Sequence, residues 1–276
     1  MTKNHPRGGG IPKPEDFDKI SLDRSIQFYK ERFANAGDFT FMFIGAIDEK
    51  SIRPLLEKYI GSLPGKSLRE TYKDLGIRPP TTMIDTVIFK GTEPKSMVRL
   101  VFTAPAAYNA ADHYALVSLG EVMTMKLVEN LREEKGGVYG VGAYGSMGKI
   151  PYSNASFTIT FPCAPENADT LSKTALEELK KIMTSGISDE YLEKIKEQQK
   201  RKLEVEIKQN IFWKNSLYDA YYSGNDPAAI LKKQQQIDGL SSAMIRDAAN
   251  KYIDLSKSIR AVLKPGKADE RQLKPF

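Results

Sequence analysis

An α+β fold, a mixed and largely antiparallel sheet with its helices packed on one face, is what this 276-residue sequence predicts. Two patterns carry the prediction. Short runs rich in β-branched and aromatic residues come in pairs, 83–90 with 96–103 and 138–146 with 153–161, and helical periods separate the pairs. Sliding the sequence along itself also lays Arg32 and Phe33 on Lys251 and Tyr252, Gly37 on Ser256 and Ile44 on Leu263. A helix, a turn and a strand-like ending therefore occur twice. The chain reads as one complete domain preceded by the end of a related one.

The elements follow in order. Ser21 is placed to cap a helix whose apolar face is Leu22, Ile26, Tyr29 and Phe33, and Gly37 ends it. The run 39–44 is apolar enough for a buried strand, and Asp48 caps a second helix through Leu55, Leu56 and Tyr59. Three elements in so short a stretch make a poor core alone, so 1–65 is expected to be the carboxy-terminal part of a truncated domain. Gly76 and the pair Pro79 and Pro80 mark 66–82 as a linker. The complete domain is expected over 83–267, with a tail at 268–276. In it, 83–90 and 96–103 pair around a turn at 91–94, and 110–131 forms a helix. Strands at 138–146 and 153–161 follow, then helices at 166–185, 188–208, 211–222 and 241–252, and a last strand at 259–263.

Composition excludes several function classes. A formal charge of +6 spreads over 41 basic and 35 acidic side chains, whereas nucleic-acid binders concentrate it. The densest run, 194–208, alternates acids and bases at helical spacing and reads as a solvated face laced with i,i+4 pairs. No apolar stretch approaches membrane-span length, and no secretory leader is legible at the amino terminus. Cys163 is the only cysteine, with no disulfide or metal partner of its own kind, and is expected to be a buried small side chain.

Local motifs are mostly negative. The glycines at 140, 142 and 145 satisfy the G-x-G-x-x-G spacing, but a helix precedes them and a strand follows, the reverse of a dinucleotide-binding turn. They are better suited to a close backbone approach. Only His5 and His113 are present, too few for a His-x-x-Glu-His zinc site, so no metal ligands are assigned to this chain. Asp112 and His113 with Ser118 or Cys163 lack the spacing of a triad. The aromatic residues Trp213, Tyr218, Tyr221 and Tyr222, with Leu217, read as a core-facing helix side.

One segment carries more. Leu-Arg-Glu-Glu-Lys-Gly-Gly-Val-Tyr-Gly-Val at 131–141 ends a long helix, breaks at two glycines and enters a strand. Arg132 then sits in the last helical turn and Tyr139 at the strand's start, where a guanidinium and a phenol can meet a peptide carbonyl or the oxyanion of a tetrahedral intermediate. The plainer reading is that Arg132 complements the helix C-terminus and Tyr139 packs in the sheet.

This segment resembles the Arg-and-Tyr motif in the last domain of pitrilysin/insulinase-type zinc peptidases, with Arg132 and Tyr139 at the family's separation. The stretches 28–33, 39–48 and 59–64 are similar to the close of the preceding domain in bacterial members, and Phe212 and Trp213 with Gly-Asn-Asp-Pro at 224–227 are similar to their late helices. The likeness runs from about residue 14 to 267. It implies a mitochondrial-processing-peptidase-like fold and a parent of four related domains in two halves. The first half holds zinc, and this chain supplies the end of the third domain and the whole fourth. Tyr139 would stabilise the scissile carbonyl, Arg132 would grip substrate backbone, and the peptide would add as a strand to a sheet edge. Alone, the chain would cleave nothing. The implied partners are a peptide substrate and an amino-terminal zinc-bearing half or subunit, with the parent in the periplasm or cell envelope, or otherwise in the cytoplasm. The other expectation is a noncatalytic structural or partner-binding subunit of the same fold.

Overall fold

A computed structural model describes residues 12–67, 70–135 and 140–266, with the backbone alone at 131–135. The chain divides into two compact units, one of 1–77 with 204–230 and one of 78–203 with 231–276.

The second unit holds the sheet. Its strands are β1 (Ile84–Phe89), β2 (Ser96–Pro105), β3 (Gly142–Gly148), β4 (Asn154–Cys163) and β5 (Ile259–Lys264), in the order β1-β5-β2-β4-β3. The expected β1–β2 hairpin is corrected here, because β5 inserts between them, parallel to β1 and antiparallel to β2. The connection from Lys90 to Lys95 is long enough to step over one strand, roughly twice the 4.8 Å spacing of neighbours. Hydrogen bonds from Lys90 N–H to the Lys264 carbonyl and from Gly266 N–H to the Gly91 carbonyl close that end, at 2.9 and 2.8 Å.

Alternation along β2 and β4 sets the sheet's inner face. Val98, Leu100 and Phe102 stand opposite Phe161, Ile159 and Phe157, and all six are buried. Full burial of each such side chain is worth about 1.5–3 kcal/mol. Helices α4 (Ala110–Lys135), α5 (Ala168–Ser185) and α9 (Ser242–Tyr252) cover this face. Leu171, Ala175, Leu179 and Ile182 give α5 its apolar stripe, and Ile245, Ala248, Ala249 and Tyr252 give α9 its own. Gly186 ends α5 at φ +74°, where other residues would be strained, and Ser241 caps α9 by accepting from Met244 N–H. Arg260 of β5 binds Asp85 of β1 at 2.8 Å and Asp169 in the first turn of α5, joining strand edge to helix layer. On α6 (Asp189–Glu206), Lys194 and Arg201 pair with Glu190 and Glu197 one turn back, as the charge alternation predicts. A short helix, α8 (Lys233–Asp238), precedes α9.

The first unit contains α1 (Pro14–Phe17), α2 (Leu22–Phe33), α3 (Glu49–Tyr59) and α7 (Asn210–Ser223). Ser21 and Asp48 cap α2 and α3 as expected. Two expectations are corrected. No strand forms at 39–44, because a ladder needs a neighbour and none exists among the described residues of this unit; Phe39, Phe41 and Phe43 remain 40%, 43% and 48% exposed. Tyr218, Tyr221 and Tyr222 of α7 are also exposed, while Phe212 and Ala220 are buried in their place. The sequence echo has a structural counterpart. After α2, Asn35 accepts from Gly37 N–H and starts a 3-10 turn; after α9, Asp254 accepts from Ser256 N–H and does the same, at the offset that aligned Gly37 with Ser256. No helix of the described residues is long and apolar enough to cross a membrane.

Candidate functional site

The junction between α4 and β3 carries the two residues singled out from sequence. Arg132 lies on the last turn of α4, with its side chain outside the described residues, and Tyr139 lies outside them altogether. What the structure supplies is the frame that holds the junction.

That frame is built from small residues and cross-helix hydrogen bonds. A Cβ on Gly145 would fall 2.1 Å from the Leu116 carbonyl oxygen, and one on Gly120 would fall 2.6 Å from that of Ala143. The glycines thus let α4 lie directly on β3, the close approach that their pattern suggested. Thr124 then hooks the strand's start. Its hydroxyl donates to the Gly120 carbonyl at 2.9 Å and accepts from Ala143 N–H at 2.8 Å.

On its other side α4 is tied to α6 and α5. The Tyr191 hydroxyl donates to the Glu129 carboxylate, one turn before Arg132. Lys126 lies 4.3 Å from the Tyr191 ring centre and 3.6 Å from Glu178, which is nearly buried. Nearer the amino end, Gln199 donates to Ser118 and Glu121 and accepts from the Tyr114 hydroxyl at 2.6 Å. Burial pushes Tyr114 up to about 12, and the Glu129 hydrogen bond, followed by burial, pushes Tyr191 up to about 12. Both phenols are neutral donors at physiological pH. Sequence reading missed Thr124, Tyr191 and Gln199, because their partners lie far away in the chain and no local spacing reveals them.

Strand β3 is an edge. It pairs with β4 alone among the described residues, so its other side offers backbone donors and acceptors to an added strand.

The rejected sites stay apart. The Asp112 carboxylate is engaged by the Lys251 ammonium at 2.8 Å and the Tyr252 hydroxyl at 2.5 Å, which together hold it below its ordinary 3.8. His113 is half-buried with its ring edge-on to Tyr108. Ser118 is buried and accepts from Gln199, and Cys163 is buried with its thiol pushed up by desolvation. Among the described residues, no group of three or more His, Cys, Asp or Glu side chains is placed to hold a metal. The described residues therefore do not fit a zinc ion.

Comparison with known proteins gives this frame a family. Residues 19–199 match the peptidase M16 inactive domain. The chain is 26% identical over 250 residues to a probable zinc protease PqqL of Haemophilus influenzae, covering 90% of this chain and 26% of the relative. It is 22% identical over 242 residues to the Escherichia coli PqqL, covering 86% and 25%. The chain thus spans about a quarter of the length of these relatives. Among solved structures, the periplasmic protease PqqL from Escherichia coli superposes with a TM-score of 0.66 at 22% identity, over 80% of this chain and 24% of that one. A peptidase M16 inactive domain from Pseudomonas fluorescens superposes at 0.72 and 17% identity, over 91% and 60%. With its α+β architecture and a family match covering well over half of its length, the chain belongs to the M16 peptidases, as an inactive domain of that family.

Proposed function

We propose that this chain is the carboxy-terminal, substrate-binding part of a zinc metalloendopeptidase whose zinc lies in an amino-terminal half. Tyr139 donates from its phenol to the oxyanion forming at the scissile carbonyl, and Arg132 grips nearby substrate backbone. The observation that carries this reading is the junction itself. A helix of the M16 inactive domain ends just after Arg132, and the chain re-enters as the open-edged strand β3. An extended peptide adding to that edge would lie along a strand that begins three residues after Tyr139 in the chain. Thr124 and Tyr191 hold the start of β3 and the last described side chains of α4 through Ala143 and Glu129, which matters because a misplacement of about 1 Å in a site can cost roughly a hundredfold in rate.

The zinc-bearing partner half is supported by the first unit, where the described residues of 12–77 include no buried side chain and the faces of α2 and α3 stay uncovered. The relatives named as zinc proteases are about four times longer than the matched region. Zinc bound in that half would activate the attacking water, while this chain's residues orient the peptide. A periplasmic or cell-envelope setting for the parent follows the Escherichia coli relative, a periplasmic protease.

The test is turnover by the full-length parent. Arg132→Ala and Tyr139→Phe should each lower kcat/KM, Tyr139→Phe by roughly 10²- to 10³-fold, as for loss of one transition-state donor. Unchanged turnover in both would reject the assignment. The competing reading, a noncatalytic structural or partner-binding subunit, is also consistent with the uncovered faces of the first unit. It requires turnover indifferent to both substitutions but assembly sensitive to charge placed on α2.

A further inference from the structure

The sheet has a second face, turned away from α4, α5 and α9. On β2, Arg99 lies between the buried Val98 and Leu100 and so points to this second face, where it is exposed. On β3 the same face carries Gly142 and Tyr144, because Ala143 and Gly145 lie against α4. Register sets these residues in rows. Arg99 stands opposite Thr160 of β4 and Thr160 opposite Gly142, while Tyr144 stands opposite Thr158 in the next row.

Tyr144 is folded back over Gly142. A Cβ at residue 142 would fall 2.7 Å from the Tyr144 Cζ and would collide with its Oη, so only glycine leaves room for the ring. The phenol therefore lies over the first residue of the open-edged strand, three residues past Tyr139, and Tyr144 is 64% exposed. Among the described residues, neither the Arg99 nor the Tyr144 side chain makes a hydrogen bond, ion pair or ring contact. Arg260, on the helix side of the sheet, instead holds Asp85 and Asp169. The residues beside Arg99 in the sheet, Thr160 and Ala261, include no acid. A guanidinium and a phenol with free donors and no adjacent carboxylate suit an anionic group.

A strand added to β3 would bring one within reach. Its backbone would lie three strand spacings from β2, roughly 14 Å. A side chain facing the second face in the Gly142 row meets the Tyr144 hydroxyl first, since Gly142 puts nothing of its own in the way. An extended glutamate there also approaches an extended Arg99, and aspartate, one methylene shorter, approaches it less closely. We infer that Tyr144 and Arg99 form a subsite for a glutamate side chain of the bound peptide, the phenol donating to the carboxylate and the guanidinium supplying the opposite charge. This rests on the strand addition at the β3 edge proposed above.

Isothermal titration of the 276-residue chain tests it with a capped, threonine-rich nonapeptide carrying one central glutamate, and with the same peptide carrying glutamine or aspartate. The glutamate peptide should bind at least about tenfold more tightly than the glutamine one, as expected for one charge-assisted contact, with aspartate between them. Bound glutamate peptide should slow amide exchange along β3. Arg99→Gln and Tyr144→Phe should each weaken the glutamate peptide far more than the glutamine peptide, Arg99→Lys should keep part of the preference, and Lys173→Gln on α5 should change nothing. Equal affinity for glutamate and glutamine, no binding of either, or a preference that survives in both folded variants would overturn the inference. So would binding that leaves exchange along β3 unchanged. Because no turnover is measured, a negative result leaves the catalytic assignment of Arg132 and Tyr139 standing, and failure of that assignment leaves this binding standing.

Discussion

Gly145 shows how much one missing side chain decides. The Leu116 carbonyl occupies the space a methyl would need, whereas a Cβ on Gly148 would meet only the Asn154 amide at 3.5 Å. Gly145→Ala should therefore destabilise the chain by about 1–3 kcal/mol in denaturant unfolding, with Gly148→Ala close to neutral. Equal effects would mean that the α4–β3 contact has been misread. Asp112 gives a prediction in pH. Its folded value lies below 3.8 because Lys251 and then Tyr252 hydrogen-bond to the carboxylate. The stability it contributes is fully present above 3.8 and is lost as pH falls through the lower folded value. Thermal midpoints taken from pH 6 down to 2 should show a shallower acid decline for Asp112→Asn than for the parent; identical slopes would remove this ion pair from the acid limb.

Among the elements, α4 matters most because it carries Arg132 and is tied to β3, α6 and α5. Its amino end is fixed by Asp112, its middle by Gly120 and Thr124 against β3, and its last turns by Tyr191 on Glu129. Tyr191→Phe removes the last of these ties without changing shape. Amide hydrogen exchange should speed up by severalfold over residues 127–131 and stay unchanged over 114–120. Uniform exchange along the helix would show that the α4–α6 seam does not hold that end. The glycine pair and the helical period before it made this element legible in sequence. Its anchors were not, since a hydrogen bond from Tyr191 to Glu129 depends on α6 returning beside α4.

For the whole molecule, the contrast is between a second unit with a well-filled core and a first unit with almost none. Val98, Leu116, Leu119, Ile159 and Leu179 are essentially inaccessible, while Phe28, Tyr29, Phe33 and Tyr59 are more than half exposed. Contiguous apolar surface of this kind marks a face that another body covers. If an amino-terminal half of the parent covers it, adding that half should sharply reduce binding of a hydrophobic dye to this chain and raise the thermal midpoint, and Phe33→Glu should block both effects. Undiminished dye binding in the reconstituted protein would count against the two-half arrangement.

From the sequence alone came the α+β class, the positions of nearly every helix and strand of the second unit, the absence of a zinc-ligand set and the choice of Arg132 and Tyr139. The first three are written in local spacing: apolar period, cap residue, glycine break, histidine count; the choice of Arg132 and Tyr139 came from the resemblance of their segment to a family motif. The tertiary structure decided what spacing does not encode. It placed β5 between β1 and β2, left 39–44 without a partner strand, grouped 204–230 with the amino-terminal segment and set Arg99 and Gly142 in one row of the sheet. The reason is physical: a strand's hydrogen bonds and the side chains of one row come from residues far apart in the chain, and their meeting is fixed only when the core closes.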